Sequence, residues 1–352
     1  MKKRMKILSI AAAFLLITTF AYGQSQGPQY QKQESGVPVL TGFVGFGSEF
    51  EPGQQTLEPT ISPILLIPIG DHFLFETEGE FEGNYSHMTG QPWDHSWDKG
   101  IEYIQGDIFV NKYLTLVGGR FLTPFGTFNE RLHPGWIRNF QLAPFVTAFE
   151  MTDSNGGQAR GAVAVNSNLN INYAGYFSAS SDTDWFVSDR ATGGRVGLFF
   201  PKARFEVGGS FQRKLGDARR NLVGVDWTLQ LKPIPLDIRG EFARDPLVGK
   251  GYWIEGAYRM RKVPFAKAFM KKSQSEIRFE QFVVSPMMGA VDMGGMDIPS
   301  NNAQRVLTGW SYWIRPDVRA NVAYGREFNS VDGDHNVWTV GLTYRFAVPL
   351  WR

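Results

Sequence analysis

Strict alternation of apolar and polar residues over nine or more positions recurs along this 352-residue chain. It is clearest in the stretches 338–346 (WTVGLTYRF) and 204–212 (RFEVGGSFQ). A period of two is typical of β-strands, because successive side chains point to opposite faces. Strands of soluble sandwiches usually run about five or six residues, whereas strands that cross a bilayer at a tilt need about nine to eleven. The pattern therefore predicts an all-β chain that forms a transmembrane antiparallel β-barrel.

About sixteen such strands are predicted, and the connections between them alternate between short and long. Short periplasmic turns and longer outer loops are typical of outer-membrane barrels, and an even strand number closes the sheet without an exposed edge. The long connections are predicted near 87–99, 123–156, 181–192 and 286–302. The strands are predicted near 39–50, 58–69, 72–86, 100–110, 113–122, 157–166, 169–180, 193–201, 203–214, 219–231, 235–245, 250–262, 274–285, 303–315, 317–328 and 336–348.

The start of the chain has the pattern of a secretory signal peptide. A basic beginning (KKRMK), an apolar run and the small-residue site AYG predict a signal peptide at 1–23. A membrane-anchoring helix is the alternative, although the apolar run is short for one. Residues 24–38 are polar and predict a periplasmic tail before the barrel at 39–352. Without the first 23 residues the chain holds 32 basic and 34 acidic residues, so its charge does not favour a nucleic-acid partner.

The stretch 123–156 is unusual because it is long, aromatic and rich in proline. Irregular segments of this length are usually functional or disordered, and the aromatic content argues against disorder. Its apolar residues could anchor it to a protein wall while its charged residues face a lumen, and HPGWIRNFQL at 133–142 could form a short helix. The apolar residues are Phe125, Phe128, Leu132, Trp136, Ile137, Phe140, Leu142 and Phe145, and the candidate constriction residues are Glu130, Arg131, His133 and Arg138.

These features carry a resemblance to a known group. The signal peptide, the sixteen-strand count, the long third loop and the ending WTVGLTYRF resemble general bacterial porins. The stretch GRFLTPFGTFNERLHPGW at 119–136 is similar to the corresponding region of the phosphate-selective porin O and P family. The resemblance implies a third loop that folds inward and narrows the pore, and it implies a homotrimer. A cap packed on the outer rim of the barrel is the alternative for this loop.

Charges on the inward faces would set the ion selectivity of such a pore. Alternation predicts that Phe211 and Leu342 face lipid, and that Ser210 and Thr343 face the lumen and tolerate a change to Glu. Because guanidinium groups suit phosphate, the many arginines favour anions; the alternative is that charges simply pair across neighbouring strands. The candidate pore-wall residues are Glu76, Glu78, Glu80, Arg204, Arg239, Arg259, Arg278 and Arg345.

The sequence therefore predicts an outer-membrane porin for passive diffusion of small polar or anionic solutes. A structural sleeve around a partner, such as an electron-transfer cytochrome, is the second hypothesis, but it would suit a short third loop. A barrel enzyme comes third, because the five histidines lack the spacing of a hydrolytic triad or a HExxH zinc site. No catalytic residue, metal site or cofactor is predicted. The expected partners are membrane lipid, small solutes or ions, and further copies of this chain.

Overall fold

The chain forms a closed antiparallel β-barrel of sixteen strands in its computed structural model, which confirms the predicted fold class. Each strand pairs with its neighbours in sequence, and β1 pairs with β16 to close the sheet without a free edge. The structure describes residues 36–147, 153–183, 185–216, 219–231, 234–260, 269–287, 299, 301–328 and 333–350. The strands are β1 (Val39–Glu51), β2 (Gln54–Ile69), β3 (Phe73–Met88), β4 (Asp94–Phe109), β5 (Thr115–Leu122), β6 (Asp153–Asn166), β7 (Leu169–Ala179), β8 (Ala191–Phe200), β9 (Phe205–Lys214), β10 (Arg220–Leu231), β11 (Leu236–Asp245), β12 (Gly249–Arg259), β13 (Ser273–Val284), β14 (Ala303–Arg315), β15 (Val318–Phe328) and β16 (His335–Pro349).

Side chains alternate between the inside and the outside of the barrel along each strand. On β13, Glu276, Arg278 and Glu280 are buried, whereas Ile277 and Phe279 are exposed on the outer surface. Apolar residues project outward at every second position, and the charged residues between them project inward. The period of two in the sequence thus gives the sheet an apolar outer face and a polar inner face.

The predicted strand boundaries differ most at the ends of β2, β4 and β6. β2 begins at Gln54 and β4 at Asp94, four and six residues before their predicted starts. The residues added to β4, DHSWDK, are exposed on both faces, so they carry no apolar alternation that would signal a strand. Gly53 has a φ of 84°, which allows a tight turn between β1 and β2 where the sequence suggests a longer connection.

One predicted pore-wall residue lies elsewhere. Arg204 is exposed in the turn that joins β8 to β9, with a φ of 51°, and β9 begins one residue later. Its predicted position on the wall is wrong because the strand pattern does not show where the turn ends. The predicted signal peptide and most of the predicted tail, 1–35, lie outside the described residues. Among the residues described, no helix has the length and apolar character needed to cross a membrane.

The two ends of the barrel carry different connections. The first strand begins and the last strand ends at one end, termed the terminal end, which also carries the short β2–β3, β6–β7 and β14–β15 turns. The opposite end is termed the loop end. The longest connection joins β5 to β6 and is the third connection at the loop end. Its described part, termed the 123–147 segment, includes the four-residue helix α1 (Phe128–Arg131).

Candidate pore interior

Aromatic residues of the 123–147 segment pack against the inner face of the barrel. Phe125 and Phe128 lie in a buried cluster with Leu222 of β10, Trp253 of β12 and Phe282 of β13. The rings of Phe128 and Trp253 meet edge to face, with centroids 6.2 Å apart. Burial of each large apolar side chain stabilises this arrangement by about 1.5–3 kcal/mol relative to exposing it. The aromatic residues of the segment are therefore held by an apolar patch inside an otherwise polar barrel.

A second apolar contact of the segment lies on the inner face of β14, β15 and β16. Phe140 packs with Leu307 of β14, Ala323 of β15 and Val337 of β16. Gly309 of β14 makes room for this ring, because a Cβ at that position would lie 2.8 Å from it. The two apolar contacts together fix the segment to seven consecutive strands, β10 to β16.

Backbone N–H groups at the start of the segment bind side chains of the wall. The N–H of Gly126 donates to Oγ of Ser210 on β9 (2.9 Å), and the N–H groups of Thr127 and Phe128 donate to the Glu241 carboxylate on β11 (3.1 and 3.2 Å). Helix α1 begins at this carboxylate, which satisfies N–H groups that have no partner within the helix. Gly126 has a φ of 64°, and a Cβ there would overlap Glu241. The helix predicted over 133–142 is absent, and that stretch forms turns instead.

Arginine side chains of the wall hold the later part of the segment through its carbonyl oxygens. Arg319, the second residue of β15, donates the hydrogen bond that lies nearest the terminal end. Since β15 begins at the terminal end, the segment extends from the loop end deep into the barrel. The three bonds run from Arg278 to the Leu142 oxygen (2.7 Å), from Arg305 to the Ala143 oxygen (2.7 Å) and from Arg319 to the Gly135 oxygen (3.2 Å).

Two of the predicted constriction residues contact strands directly. Arg131 forms an ion pair with Glu206 of β9, with 2.8 Å between its Nη2 and the carboxylate Oε1. Glu130 accepts a hydrogen bond from the Gln158 amide of β6 at 3.4 Å. Arg131 is 17% exposed, so its charge is largely held against the wall.

The other two, His133 and Arg138, lie together beside β4. Nε2 of His133 is 3.4 Å from Oε2 of Glu102, and the imidazole is buried. Burial, aided by the positive charge of Arg138, lowers the pKa of His133 to about 3, so the ring is neutral at physiological pH. Arg138 donates to the carbonyl oxygens of Leu132 (3.0 Å) and His133 (2.5 Å), and its guanidinium lies 5.2 Å from the ring centroid of Phe128. Both side chains are fixed by contacts within or beside the segment.

The remaining predicted wall arginines lie on inward faces, and most pair with acids of adjacent strands. This pairing is the alternative that the sequence left open. Arg345 lies near the terminal end, on the same face of β16 as the buried Thr343. Across strands, Arg239 pairs with Glu255 (2.6 Å), Arg259 with Asp237 (2.5 Å) and Arg278 with Glu255 (3.9 Å), and Arg278 also pairs with Glu280 of its own strand (3.3 Å).

A dense ion-pair network involves residues that the sequence did not single out. Arg195 of β8 donates to Asp226 (2.6 and 2.8 Å), to Glu206 (3.1 Å) and to Asn172 (2.9 Å), and it is 5% exposed. Because Glu206 also binds Arg131, this network ties the segment to the wall. Alternation along each strand predicts which residues face inward, so it could have placed Arg195, Glu206 and Asp226 on the inner face.

Acidic residues dominate the inward faces of β1–β4. The predicted Glu76, Glu78 and Glu80 all face inward from β3, where the Ser62 hydroxyl binds Glu78 and the Gln105 amide donates to Glu76 (2.6 Å). The inward faces of β9–β15, against which the 123–147 segment packs, are termed the covered wall. The inward faces of β1–β4 are termed the acidic wall, which carries Glu49, Glu80, Glu82, Asp98 and Glu102.

Histidines are dispersed over the molecule rather than gathered at a site. On the β3–β4 hairpin, His87 contacts the ring of Trp93 and His95 stacks on Tyr85, with centroids 5.1 and 6.0 Å apart. Nε2 of His335 lies 3.2 Å from Oε1 of the inward-facing Glu51. In the part of the chain that the structure describes, no group of three His, Asp or Glu residues is placed to hold a metal ion.

Comparison with known proteins finds likeness in structure rather than in sequence. No protein-family model matches the chain, and no curated protein sequence matches it. Solved structures of bacterial porins are similar to it. OprB of Pseudomonas putida, in its high-pH structure, has a TM-score of 0.59 at 9% identity, covering 89% of this chain and 94% of that one. OmpF of Salmonella typhi has a TM-score of 0.57 at 14% identity, covering 88% and 98%. The anion-selective porin from Comamonas acidovorans has a TM-score of 0.53 at 9% identity, covering 89% and 100%. At these identities the likeness shows the fold: the chain has the closed barrel architecture of bacterial outer-membrane porins.

Proposed function

We propose that this chain is an outer-membrane porin through which small hydrophilic solutes diffuse passively. One observation carries the proposal: a closed sixteen-stranded barrel exposes apolar side chains outside and directs charged side chains inside. Residues such as Phe46, Phe211 and Leu342 are each about 45% exposed on the outer face, which suits contact with lipid. A barrel of this size leaves an aqueous channel where its interior is not filled by side chains or loops.

The 123–147 segment would narrow this channel from one side. Its hydrogen bonds and buried apolar contacts are concentrated on the covered wall, and Trp136 reaches Phe43 of β1, with ring centroids 5.3 Å apart. The passage that we propose therefore runs along the acidic wall. A segment that fills part of the lumen also favours a porin over a sleeve, because a sleeve needs that space for its partner.

Single-channel recording after loop trimming tests both parts of the proposal. Purified protein in planar bilayers should form open channels, and deleting 127–142 should raise their conductance because it removes the obstruction. Deleting 90–92, the exposed turn between β3 and β4, is the matched control and should leave conductance unchanged. A difference in gel mobility between unheated and boiled samples reports that each variant is folded.

The outcomes separate the two parts. Folded wild-type protein that forms no channels in bilayers would contradict the porin function. Folded protein that conducts equally with and without 127–142 would contradict only the narrowing by the segment.

We also propose that the porin is a homotrimer, as the sequence resemblance implies. Inter-subunit contact is supported by outward-facing glycines on neighbouring strands, Gly118 with Gly157 and Gly175 with Gly194, which leave a smooth surface. Light scattering of the detergent-solubilised protein should give three times the chain mass after correction for detergent. A monomeric mass would contradict this assembly and leave the porin function intact.

A further inference from the structure

We propose that the passage selects cations over anions, so that the permeating solutes are small positively charged species such as alkali-metal ions and amines. This inference rests on the proposed porin function and concerns the same lumen. It differs from the anion preference that the number of arginines suggests, because it depends on where the charges lie and on what each one binds.

The acidic wall supplies negative charge without matching positive partners. Glu80 and Glu82 face inward from β3, and Glu49 faces inward from β1. All three are partly exposed. Among the residues that the structure describes, the ion pairs involve none of these three carboxylates. Asp98 is exposed on the same wall, nearer the loop end.

The covered wall, by contrast, offers little accessible positive charge. Arg278 and Arg305 converge on Glu280 (3.3 and 2.8 Å), and they are 2% and 8% exposed. Both also donate to carbonyl oxygens of the 123–147 segment, which lies over them. On the neighbouring strand β8, Arg195 is likewise held by two acids, Asp226 and Glu206. Most of the basic charge inside the barrel is therefore neutralised by neighbours and shielded from the passage.

One guanidinium of the segment does act on the acidic wall. Arg138 lies beside β4 and interacts electrostatically with Glu80, Glu82 and Glu102, while its N–H groups bind carbonyl oxygens of its own segment. His133 beside it is neutral and so adds no positive charge. Among the described residues, Arg138 is the cation that acts on Glu80 and Glu82, and Arg305 acts on Glu49, so carboxylates outnumber the positive charges near them along the passage.

A buried glutamate lies among the partly exposed carboxylates of the same wall. Glu78 is 2% exposed and faces inward between Glu76 and Glu80. The Ser62 hydroxyl donates to its Oε1, and the Tyr103 hydroxyl is a second hydrogen-bonding neighbour of the carboxyl group. A buried acceptor of this kind normally has a partner. Because Glu78 is enclosed by these neighbours, the carboxylates that act directly on permeating ions are the partly exposed ones beside it.

The size of the effect follows from Coulomb's law. A carboxylate about 6 Å from a permeating ion changes the energy of that ion enough to alter its local concentration roughly threefold in water, and more where the lumen lowers the effective dielectric constant. Salt screens this interaction beyond a distance of about 10 Å at 0.1 M. Several unpaired carboxylates in a narrow passage therefore favour K⁺ over Cl⁻ by a measurable ratio.

Zero-current potentials in a KCl gradient across a planar bilayer test the inference. The wild-type protein should show a permeability ratio of K⁺ to Cl⁻ well above one. The triple variant E49Q/E80Q/E82Q should lower this ratio by roughly 10- to 30-fold, since each neutral side chain removes about a two- to threefold preference and the three factors multiply. The triple variant D71N/D182N/D334N changes exposed acids outside the passage and is the matched control, which should keep the wild-type ratio.

Each outcome decides the inference. A wild-type channel that prefers Cl⁻ or does not discriminate would overturn it, as would an unchanged ratio in the folded E49Q/E80Q/E82Q variant. If that variant does not fold, liposome swelling with wild-type protein decides instead, because an amino sugar should enter faster than a sugar acid of the same ring size. Equal or reversed rates would overturn the inference but leave the porin function standing. Absence of any conductance would overturn both.

Discussion

The covered wall and the acidic wall differ in what compensates their charges. On the covered wall, Arg278, Arg305 and Glu280 are almost fully buried: both arginines bind Glu280, and both donate to carbonyl oxygens of the 123–147 segment. On the acidic wall, Glu80 and Glu82 remain partly exposed and form no ion pair with described residues. A charge can be buried only if it is paired and hydrogen-bonded, whereas an exposed carboxylate keeps its water.

The comparison explains why the segment lies where it does. The wall whose charges are paired across strands can be covered by aromatic and backbone groups, because little hydration is lost there. The wall rich in one sign of charge must stay wet, because covering it would leave several carboxylates buried without partners. The two walls also differ in strand length: β2, β3 and β4 of the acidic wall have 16 residues each, whereas β9 and β11 of the covered wall have 10.

The largest difference between the walls should appear when one arginine is removed from the covered wall. Changing Arg278 to Met removes a buried cation from between Glu255 and Glu280 and takes away the donor of the Leu142 oxygen, which should lower the free energy of unfolding by about 3–5 kcal/mol. Changing Arg315 to Met breaks an ion pair with Asp317 in which the arginine is 69% exposed, and should cost at most about 1 kcal/mol. Urea midpoints measured in detergent or vesicles compare the two. Equal shifts would mean that the covered wall is not buried as described.

Substitutions on the outer face should have similar effects on both walls, because the charges that distinguish the two walls lie on their inner faces. Phe81 on β3 and Phe279 on β13 are 43% and 46% exposed on the outside of the two walls. An arginine at either position would lie against lipid and should cost about 2–4 kcal/mol near the middle of the bilayer. The yield of folded protein in lipid vesicles should therefore fall similarly for F81R and F279R. A loss confined to one of them would show that the other faces protein or water.

Polar substitutions on the inner faces should destabilise the protein more on the covered wall than on the acidic wall. Ser210 is 7% exposed and its Oγ accepts the Gly126 N–H, so a longer Gln there should destabilise the protein by about 1–3 kcal/mol. Thr60 of β2 also faces inward but is partly exposed, and T60Q should change stability by less than about 0.5 kcal/mol. Unfolding midpoints decide between these values. From alternation alone both positions would tolerate the change, so equal tolerance would indicate that the segment does not rest on Ser210.

The barrel was predictable from the sequence because each strand shows its own alternation of apolar and polar residues. Alternation is local, so the bounds of β14 are predicted without error from 303–315. Prediction failed where both faces of a strand meet the same environment, as at the start of β4, where Asp94 and the next five residues are all exposed. It also failed at Arg204, because a turn residue and the first strand residue are both compatible with the pattern.

The interior was less predictable because its contacts join residues far apart in the chain. Gly126 binds Ser210, 84 positions later, and helix α1 begins at the carboxylate of Glu241, more than 100 positions later. No local signal identifies these partners, which explains why the helix was predicted over 133–142 instead. The ion pairs depend on strand register: Arg239 lies directly opposite Glu255 across the β11–β12 pair. Alternation predicts which face of the sheet a residue occupies, but only the closed barrel shows which residue lies opposite it on the next strand.

The smallest predicted effect is also the most specific to the acidic wall. Changing Glu82 to Gln removes a partly exposed charge that forms no ion pair with described residues, so the free energy of unfolding should change by less than about 0.5 kcal/mol. The same variant should lower the ratio of K⁺ to Cl⁻ permeability by roughly two- to threefold, because one carboxylate fewer lines the passage. The identical chemical change at Glu241 is the control. It weakens two charge-assisted hydrogen bonds to the segment and should cost about 1.5–3 kcal/mol. If E82Q destabilises the barrel as much as E241Q does, or leaves the permeability ratio unchanged, the two walls do not divide structural and permeation roles between them.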